Sequence, residues 1–201
     1  METDETRDRR KKNIVELTRC SVSDYRAMPK LPLRVMADNI RSMYNVGAIF
    51  RTADAFCVEE VILAGISGCP PHQEISKTAL GAEESVAWRH VGDAVVEARR
   101  LQQEGWRVCA LEQAHDSVPL QDFRVEPGCR YLLVAGNEVD GVSQEIVDMA
   151  DCVIEIPQRG IKHSLNVSSS ASILMWHFFS QMNFKIPLNL KPKAYNLKPK
   201  I

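Results

Sequence analysis

The side chains of this sequence that are best able to do chemistry lie in three polar segments, each of which follows a short apolar run. The segments are residues 39–56, 136–143 and 157–172. In the first, Asn45 lies at or near a predicted helix start and is a good cap, and Arg51 follows six residues later among apolar neighbours. A partly buried guanidinium group needs an anionic partner such as a carboxylate or a phosphate. Arg51 is therefore either a surface arginine, as most helical arginines are, or part of an anion site.

The second segment, GNEVDGVS at 136–143, predicts a tight loop whose backbone N–H groups could hold a ligand. It lacks the Lys-Ser/Thr pair of a phosphate-binding loop, and no GxGxxG motif occurs in the sequence. Glu138 and Asp140 fall near a predicted helix start, where carboxylates are favoured. The loop is thus a candidate ligand site that belongs to neither of the two common nucleotide motifs.

The third segment places Arg159, Lys162 and His163 beside Ser164 and Asn166. Serines at positions 168, 169, 170 and 172 then open the last predicted helix. Because serine is a weak helix former, this run suggests a packing or ligand role, and a simple polar N-cap region is the alternative. A Ser–His nucleophile pair is disfavoured, since adjacent residues seldom face one another and no GxSxG elbow is present.

Five short apolar runs, bounded by turn residues, predict the strands that must position these segments. They lie at residues 33–38, 58–65, 106–112, 131–136 and 152–157. Because the runs are continuously apolar rather than alternating, they indicate a parallel sheet covered on both faces. Helical patterns fill the gaps at residues 46–56, 93–105, 143–150 and 165–182. The predicted fold class is α/β, with a mostly parallel sheet and helices on both faces.

Two further expectations concern single elements. The last helix should bury a broad apolar face formed by Leu165, Ile173, Trp176 and Phe178 or Phe179. The Gly/Pro/Ser-rich stretch at 65–83 is long for a connector, and long loops in compact domains tend to carry function. In open α/β sheets the chemistry lies at the carboxyl ends of the strands, so the three polar segments should meet at one edge of the sheet.

The composition excludes several classes of protein. Six cysteines show neither metal-ligand nor CxxC spacing, so no metal site and no disulfide scaffold is expected. No apolar stretch approaches the ~18 residues of a membrane span. The sequence starts with a charge run rather than the apolar core of a signal peptide, so we expect a cytoplasmic protein without a membrane partner.

The formal net charge of −1 is unevenly distributed. Residues 185–201 carry +5, residues 1–12 carry +1, and the central 172 residues carry −7. A polyanionic partner would therefore have to meet local basic patches and the two ends of the chain. The alternative for both ends is that they are only solvated and extended.

Together the three segments resemble the three motifs of the SpoU class of SPOUT RNA methyltransferases, in the same order and at the usual spacing. The stretches that carry the resemblance are NIRSMYNVGAIFRTADAF, LLVAGNEVDGVS and IEIPQRGIKHSLNVSSSASI. They cover about residues 33–180. One such motif alone would be weak, whereas the ordered set of three is specific.

The resemblance implies a fold, a reaction and a cofactor. Members of this family transfer a methyl group from S-adenosylmethionine to a ribose 2′-hydroxyl of tRNA or rRNA, form homodimers that share the active site, and carry a C-terminal trefoil knot. The cofactor contacts implied here, largely through backbone groups, are Leu111, Gly136, Asn137, Ile156, Pro157 and Leu165. Catalytic and RNA-positioning roles fall on Asn45, Arg51, Glu138, Ser164 and Asn166. No metal is implied.

The resemblance makes Arg51 the base that removes the proton of the reacting hydroxyl. Because a guanidinium group stays protonated in proteins, we also consider a second role. In that role Arg51 clamps the adjacent phosphate and orients the hydroxyl, and the phosphate or a solvent molecule takes the proton.

The expected organisation is a helical arm at 1–30, a SPOUT methyltransferase domain at 31–182 and a basic tail at 183–201. Only about 30 residues precede the first predicted strand of this sequence, whereas many relatives carry a separate RNA-binding domain there. The arrangement resembles the shorter tRNA-modifying members, so tRNA is expected over rRNA, and no DNA is expected. The alternative is a non-catalytic RNA-binding or RNA-assembly factor on the same fold. The intact set of five polar residues favours the enzyme, and the missing nucleotide motifs disfavour a generic nucleotide-binding enzyme.

Overall fold

A computed structural model of the chain describes Arg10, Lys11, Asn13 and residues 20–182. The strands of this part are β1 (Leu31–Asp38), β2 (Val58–Ala64), β3 (Trp88–Val91), β4 (Trp106–Leu111), β5 (Val118–Pro119), β6 (Arg130–Ala135) and β7 (Cys152–Glu155). The helices are α1 (Val22–Ala27), α2 (Met43–Ala55), α3 (Gln73–Ala79), α4 (Ala82–Ser85), α5 (Ala94–Gln103), α6 (Gln144–Met149) and α7 (Val167–Gln181). The five strands and four helices expected from the sequence are all present.

The strands form one sheet in the order β3-β2-β1-β6-β4-β7-β5, and every pair of neighbours is parallel. At its centre Met36 of β1 is in register with Ile62 of β2 on one side and with Val134 of β6 on the other. The order is not sequential, because β6 lies between β1 and β4. The predicted mostly parallel α/β sheet is confirmed.

Successive residues of the central strands point into two separate cores, as the pleat of a strand requires. Val35 and Ala37 pack into a core that also holds Phe50 of α2 and Phe178 of α7. Met36 between them packs into the second core, together with residues of α5 and α6. Helices therefore cover both faces of the sheet, which explains why the strand sequences are apolar without alternation.

The apolar face predicted for the last helix is confirmed at Phe178 and wrong at Leu165, Ile173 and Trp176. The side chains that α7 buries are Ala171, Leu174, Met175 and Phe178. Ile173 and Trp176 are 40% and 53% exposed, and Leu165 precedes the helix and is 41% exposed. Because α7 is apolar on most of its circumference, periodicity could not tell which face the sheet covers.

Three parts of the fold were not expected from the sequence. β3 has only four residues and includes Arg89 and His90, and β5 has two residues, so neither shows an apolar run. The stretch at 65–83 holds α3 and the start of α4. Both are short, and α3 buries only Ile75 and Ala79, so their helical pattern is weak.

Several expectations about the ends of the chain fall outside the described residues. The helix predicted around 13–20 is described only at Asn13 and Cys20, and the tail at 183–201 is not described. Within residues 20–30, α1 begins with a capping box in which Ser21 and Asp24 bond to each other's backbone N–H groups. In the part of the chain that the structure describes, no helix is both long and apolar enough to cross a bilayer. The trefoil knot stays a prediction.

Candidate functional site

A cleft of about 440 Å³ opens at the carboxyl ends of β4, β6 and β7. Its walls come from residues 111–113 at the end of β4, 136–141 after β6, 155, 156 and 158 at the end of β7, and 164–167 with Ser170 at the start of α7. This is the edge at which the polar segments were expected to meet. The volume lies in the range of small-molecule sites in proteins.

The loop after β6 is folded tightly against the cleft. The backbone of Asn137 exchanges two hydrogen bonds with Gly141, at 2.9 and 3.0 Å. Gly136 has no room for a side chain, because a Cβ there would lie 2.1 Å from the carbonyl carbon of Gly141 and from the backbone nitrogen of Val142. The side-chain nitrogen of Asn137 donates to the carbonyl of Asn39 at 2.8 Å, which ties the loop to the end of β1. The loop therefore presents a fixed backbone to the cleft.

A chain of hydrogen bonds joins all three polar segments. The Glu138 carboxylate accepts bonds from the backbone N–H groups of Arg41 (3.0 Å) and Ser42 (3.1 Å), and from the side-chain nitrogen of Asn45 (2.8 Å). Asn45 in turn accepts a bond on Oδ1 from Nδ2 of Asn166, at 3.0 Å. Segments that are far apart in the sequence thus hold one another in place at the cleft.

Glu138 acts as a hydrogen-bond acceptor in this network. Its partial burial would raise the pKa of the carboxyl group, but the hydrogen bonds from Arg41, Asn45 and Ser42 outweigh burial and hold the pKa below its ordinary value of 4.5. The group is therefore ionised at neutral pH and has no proton to donate. We expected Glu138 near the start of the following helix, but the helix start it stabilises is that of α2.

Two long helices begin beside the cleft and run side by side. Ser42 caps α2, so Asn45 is a residue of the first turn and not the cap that the sequence suggested. Asn166 caps α7 by accepting on Oδ1 from the N–H groups of Ser168 and Ser169. Farther along, the hydroxyls of Thr52 and Ser172 are 2.8 Å apart, so the two helices pack in parallel. Their positive N-terminal ends meet at the cleft.

The serine run has a packing reason. Ser168 donates its hydroxyl to Oδ1 of Asn166 at 2.6 Å, and Ser172 donates to the carbonyl of Ser168 at 2.7 Å. Ser170 donates to the carbonyl of Asn166 at 3.2 Å and also lines the cleft. The serine hydroxyls therefore stabilise the start of α7: those of Ser170 and Ser172 bond to backbone carbonyls one turn earlier, and that of Ser168 bonds to the side chain of the capping residue.

Most of the predicted site residues lie at the cleft. The ones that line it are Leu111, Gly136, Asn137, Glu138, Ile156, Ser164, Leu165 and Asn166. Asn45 is 8% exposed and reaches the cleft only through its bonds to Glu138 and Asn166. Pro157 lies between two lining residues but is not itself part of the wall.

Arg51 is apart from the other predicted site residues. It is exposed on α2, six residues beyond Asn45, which is about 9 Å along a helix axis. It does not line the cleft. Arg159, Lys162 and His163 are likewise exposed, in the loop that precedes Ser164. These exposed side chains are therefore accessible to a molecule that approaches the cleft from outside.

Sequence reasoning missed several polar residues of the wall, among them Glu112 and Gln113. Gln113 donates its side-chain N–H to the carbonyl of His163 at 2.8 Å, which fixes the third segment to the end of β4. In the structure both residues directly follow β4, although the predicted strand at 106–112 ended with Glu112. The rule that places chemistry at the carboxyl ends of strands would have found them had it been applied to β4 as well.

This chain is similar to proteins of one known family. The sequence model of the SpoU rRNA Methylase family matches residues 32–176. The chain is 30% identical over 168 residues to a 23S rRNA (guanosine-2′-O-)-methyltransferase, RlmB of Vibrio parahaemolyticus. That alignment covers 83% of this chain and 66% of the Vibrio protein, so the chain spans just under two thirds of that relative's length.

Two solved structures share the fold. A TrmH/SpoU tRNA modifying enzyme of A. aeolicus superposes with a TM-score of 0.70 at 29% identity, over 80% of this chain and 81% of that one. An AdoMet-bound rRNA methyltransferase of Sinorhizobium meliloti gives a TM-score of 0.68 at 26% identity, over 80% of this chain and 60% of that one. The range that the family model matches, residues 32–176, runs from the second residue of β1 past β7 and includes all the residues that line the cleft.

Proposed function

Because this chain belongs to the SpoU rRNA Methylase family, we propose that it transfers a methyl group from S-adenosylmethionine to a ribose 2′-hydroxyl of RNA. The observation that supports this most is the hydrogen-bond chain from Glu138 through Asn45 to Asn166, which assembles the three polar segments around one cleft. The Vibrio relative is named for 2′-O-methylation of guanosine, and the S. meliloti neighbour holds AdoMet.

The residues of the cleft fit such a cofactor. The side chains of Leu111, Ile156 and Leu165 offer apolar contacts to a flat ring, and Gly136 leaves the backbone of its loop open to close approach. The volume of about 440 Å³ suits a ligand of nucleoside size. When bound, S-adenosylmethionine supplies an electrophilic methyl group on a sulfonium centre.

The chain's own residues then have to position the RNA hydroxyl and promote loss of its proton. Transfer to oxygen requires the attacking atom in line with the methyl group, so rigid positioning contributes much of the rate. The network of Glu138, Asn45 and Asn166 supplies this rigidity, and Ser164 lies in the cleft wall with a hydroxyl free to rotate toward a substrate. Arg51 either takes part in proton removal or clamps the neighbouring phosphate.

The experiment that tests the proposal is transfer of labelled methyl from S-adenosylmethionine to total tRNA and, separately, to rRNA. We expect label in a 2′-O-methyl nucleotide of the tRNA pool, with Arg51→Ala as the control. Label in rRNA alone would contradict the tRNA preference. Cofactor binding without label in either pool would contradict the enzymatic proposal and favour a non-catalytic RNA-binding factor.

The preference for tRNA is part of the proposal. It is supported by the A. aeolicus neighbour, which is described as a tRNA modifying enzyme and of which this chain covers 81%. RNA would approach the exposed cations Arg51, Arg159 and Lys162 around the cleft. The basic ends of the chain would add to this attraction.

A homodimer is also part of the proposal. Trp176 and Ile173 expose apolar surface on α7, and Phe56 and Phe179 lie beside Trp176 with ring centroids at 5.7 and 5.8 Å. Contiguous apolar surface of this kind is typical of protein interfaces. A partner subunit covering this face would come close to the exposed side of α2, on which Arg51 lies.

A further inference from the structure

Glu112 occupies a central place in the cleft although it belongs to none of the three polar segments. It follows β4 directly, is half-buried and forms part of the cleft wall. Its backbone N–H donates to the carbonyl of Ile154 in β7 at 3.1 Å. The residue is therefore fixed where the ends of β4 and β7 meet.

The carboxylate of Glu112 holds two segments together. Its Oε1 accepts a bond from the N–H of Gln113 at 2.8 Å, and its Oε2 accepts one from the N–H of Val142 at 3.0 Å. Val142 ends the loop that follows β6 and forms one wall of the cleft. The position of the carboxylate relative to that loop is thus determined by direct bonds.

Gly141 leaves room for this carboxylate. Its φ of +72° lies in the left-handed region that favours glycine, and a Cβ at this position would lie 2.1 Å from Oε2 of Glu112. Any other residue at 141 would therefore displace the Glu112 side chain or the loop. The close approach of the loop to the carboxylate therefore depends on both the glycine at 141 and the glutamate at 112.

Glu112 still has acceptor capacity toward the cleft. A carboxylate has about four lone-pair sites, and the bonds from Gln113 and Val142 occupy two of them. Glu138, another carboxylate of the cleft wall, already accepts three bonds, which hold the start of α2. Glu112 is therefore the better placed acceptor for a ligand that carries hydroxyl donors.

We propose that Glu112 accepts a hydrogen bond from a ribose hydroxyl of the nucleoside part of the cofactor while it fixes the loop at 136–142. The inference rests on the proposed function. A carboxylate at the carboxyl end of a parallel strand is a common partner of ribose hydroxyls in α/β proteins. A hydrogen bond to an ionised group is also stronger than a hydrogen bond between neutral groups.

The test measures binding by calorimetry and needs no turnover. The ligands are S-adenosylhomocysteine and its analogue without the two ribose hydroxyls, and the proteins are wild type, Glu112→Gln and the control Glu145→Gln, an exposed carboxylate on α6. Glu112→Gln should bind S-adenosylhomocysteine roughly tenfold to a hundredfold more weakly than wild type. Its loss of affinity for the dideoxy analogue should be much smaller, because only the bond that holds the loop is weakened there, and Glu145→Gln should change neither affinity.

Two results would overturn the inference while the proposed function stands. One is equal binding of both ligands by the wild type, a comparison that requires no variant to fold. The other is an equal loss for both ligands in Glu112→Gln, which would mean that the carboxylate only holds the loop. Failure of the wild type to bind either ligand would instead contradict the proposed function itself, and this inference with it.

Discussion

The side-chain amide of Asn166 does two things at once. Its Oδ1 caps α7 by accepting from the N–H groups of Ser168 and Ser169, and its Nδ2 donates to Asn45. Aspartate caps a helix about as well as asparagine, but an ionised carboxylate has no proton to donate. The two roles can therefore be separated by substitution.

Asn166→Asp should keep the stability of the protein and lower its methyl-transfer rate, because two oxygens would face each other where Asn45 now accepts a bond. Asn166→Ala should lower both, with a loss of about 1 kcal/mol in the free energy of unfolding from the missing cap. Urea unfolding and single-turnover methyl transfer measure the two effects. A wild-type rate in Asn166→Asp would show that the bond to Asn45 does not position the site.

Substitutions of Arg51 test its role outside the cleft. Arg51→Ala should reduce the single-turnover rate strongly, whether the residue removes a proton or clamps a phosphate. Arg51→Lys keeps the charge but loses the planar pair of donors, so we expect at least a roughly tenfold lower rate than wild type. An unchanged single-turnover rate in Arg51→Ala would contradict both roles.

Among the elements, α5 is attached to the edge of the sheet through Glu97. This side chain is 7% exposed and accepts hydrogen bonds from Arg89 of β3 and from Arg100 one turn along α5, the latter at 2.7 and 2.9 Å. The bonds from Arg100 and Arg89 outweigh burial and lower the pKa of Glu97 to about 2. The edge strand β3, which has no apolar run, is thus held to α5 in part by an ion pair.

Glu97→Gln should lower the free energy of unfolding at pH 7 by about 2 to 3 kcal/mol, from the shift between the ordinary and the folded pKa. Because the folded pKa is depressed, this advantage of the wild type exists above pH 4.5 and disappears as the pH falls toward 2. Urea unfolding at both pH values measures it. Glu104→Gln, at a side chain 49% exposed, is the control and should cost less than about 1 kcal/mol. If the difference in the free energy of unfolding between wild type and Glu97→Gln were the same at both pH values, it could not come from the lowered pKa of Glu97.

The contact between α2 and α3 depends on the missing side chain of Gly47. A Cβ there would lie 2.1 Å from the hydroxyl of Thr78 and 2.3 Å from the carbonyl oxygen of Ile75. Gly47→Ala should therefore destabilise the protein by about 1 to 3 kcal/mol through overpacking. Gly92→Ala is the matched control, because a Cβ there meets nothing within 4 Å. Equal thermal midpoints for the two variants would contradict this account.

The sequence predicted the elements whose burial is nearly complete and missed those whose burial is partial. The central strands and the meeting of three polar segments at one edge follow from continuous apolar runs and from the direction of parallel strands. The bonds of Glu138 to the backbone of Arg41 and Ser42 could not be predicted, because they depend on the turn geometry of two loops. Apart from Phe178, the buried side chains of α7 were not predicted, because the helix is apolar on both faces.

In the whole molecule, the outer side of α7 is the apolar surface that we propose a second subunit covers. Trp176→Asp should raise the dimer dissociation constant at least roughly tenfold, because a central aromatic residue contributes much of the energy of an interface. Size-exclusion chromatography with light scattering measures this. Val96→Asp is the control, since Val96 is 64% exposed on α5, across the sheet from α7. If Trp176→Asp and Val96→Asp had the same mass in solution, the outer side of α7 would not be the interface.

The strand order also has a consequence for synthesis of the protein on the ribosome. One edge of β1 can pair only with β6, which begins about 90 residues later in the chain. At about 5 to 20 residues per second, that edge waits about 5 to 20 s for its partner. During this interval the nascent chain presents an apolar, unpaired strand, which is a template for aggregation. Slow codons between β1 and β6 would lengthen the interval, so the yield of folded protein should fall as translation of this stretch slows.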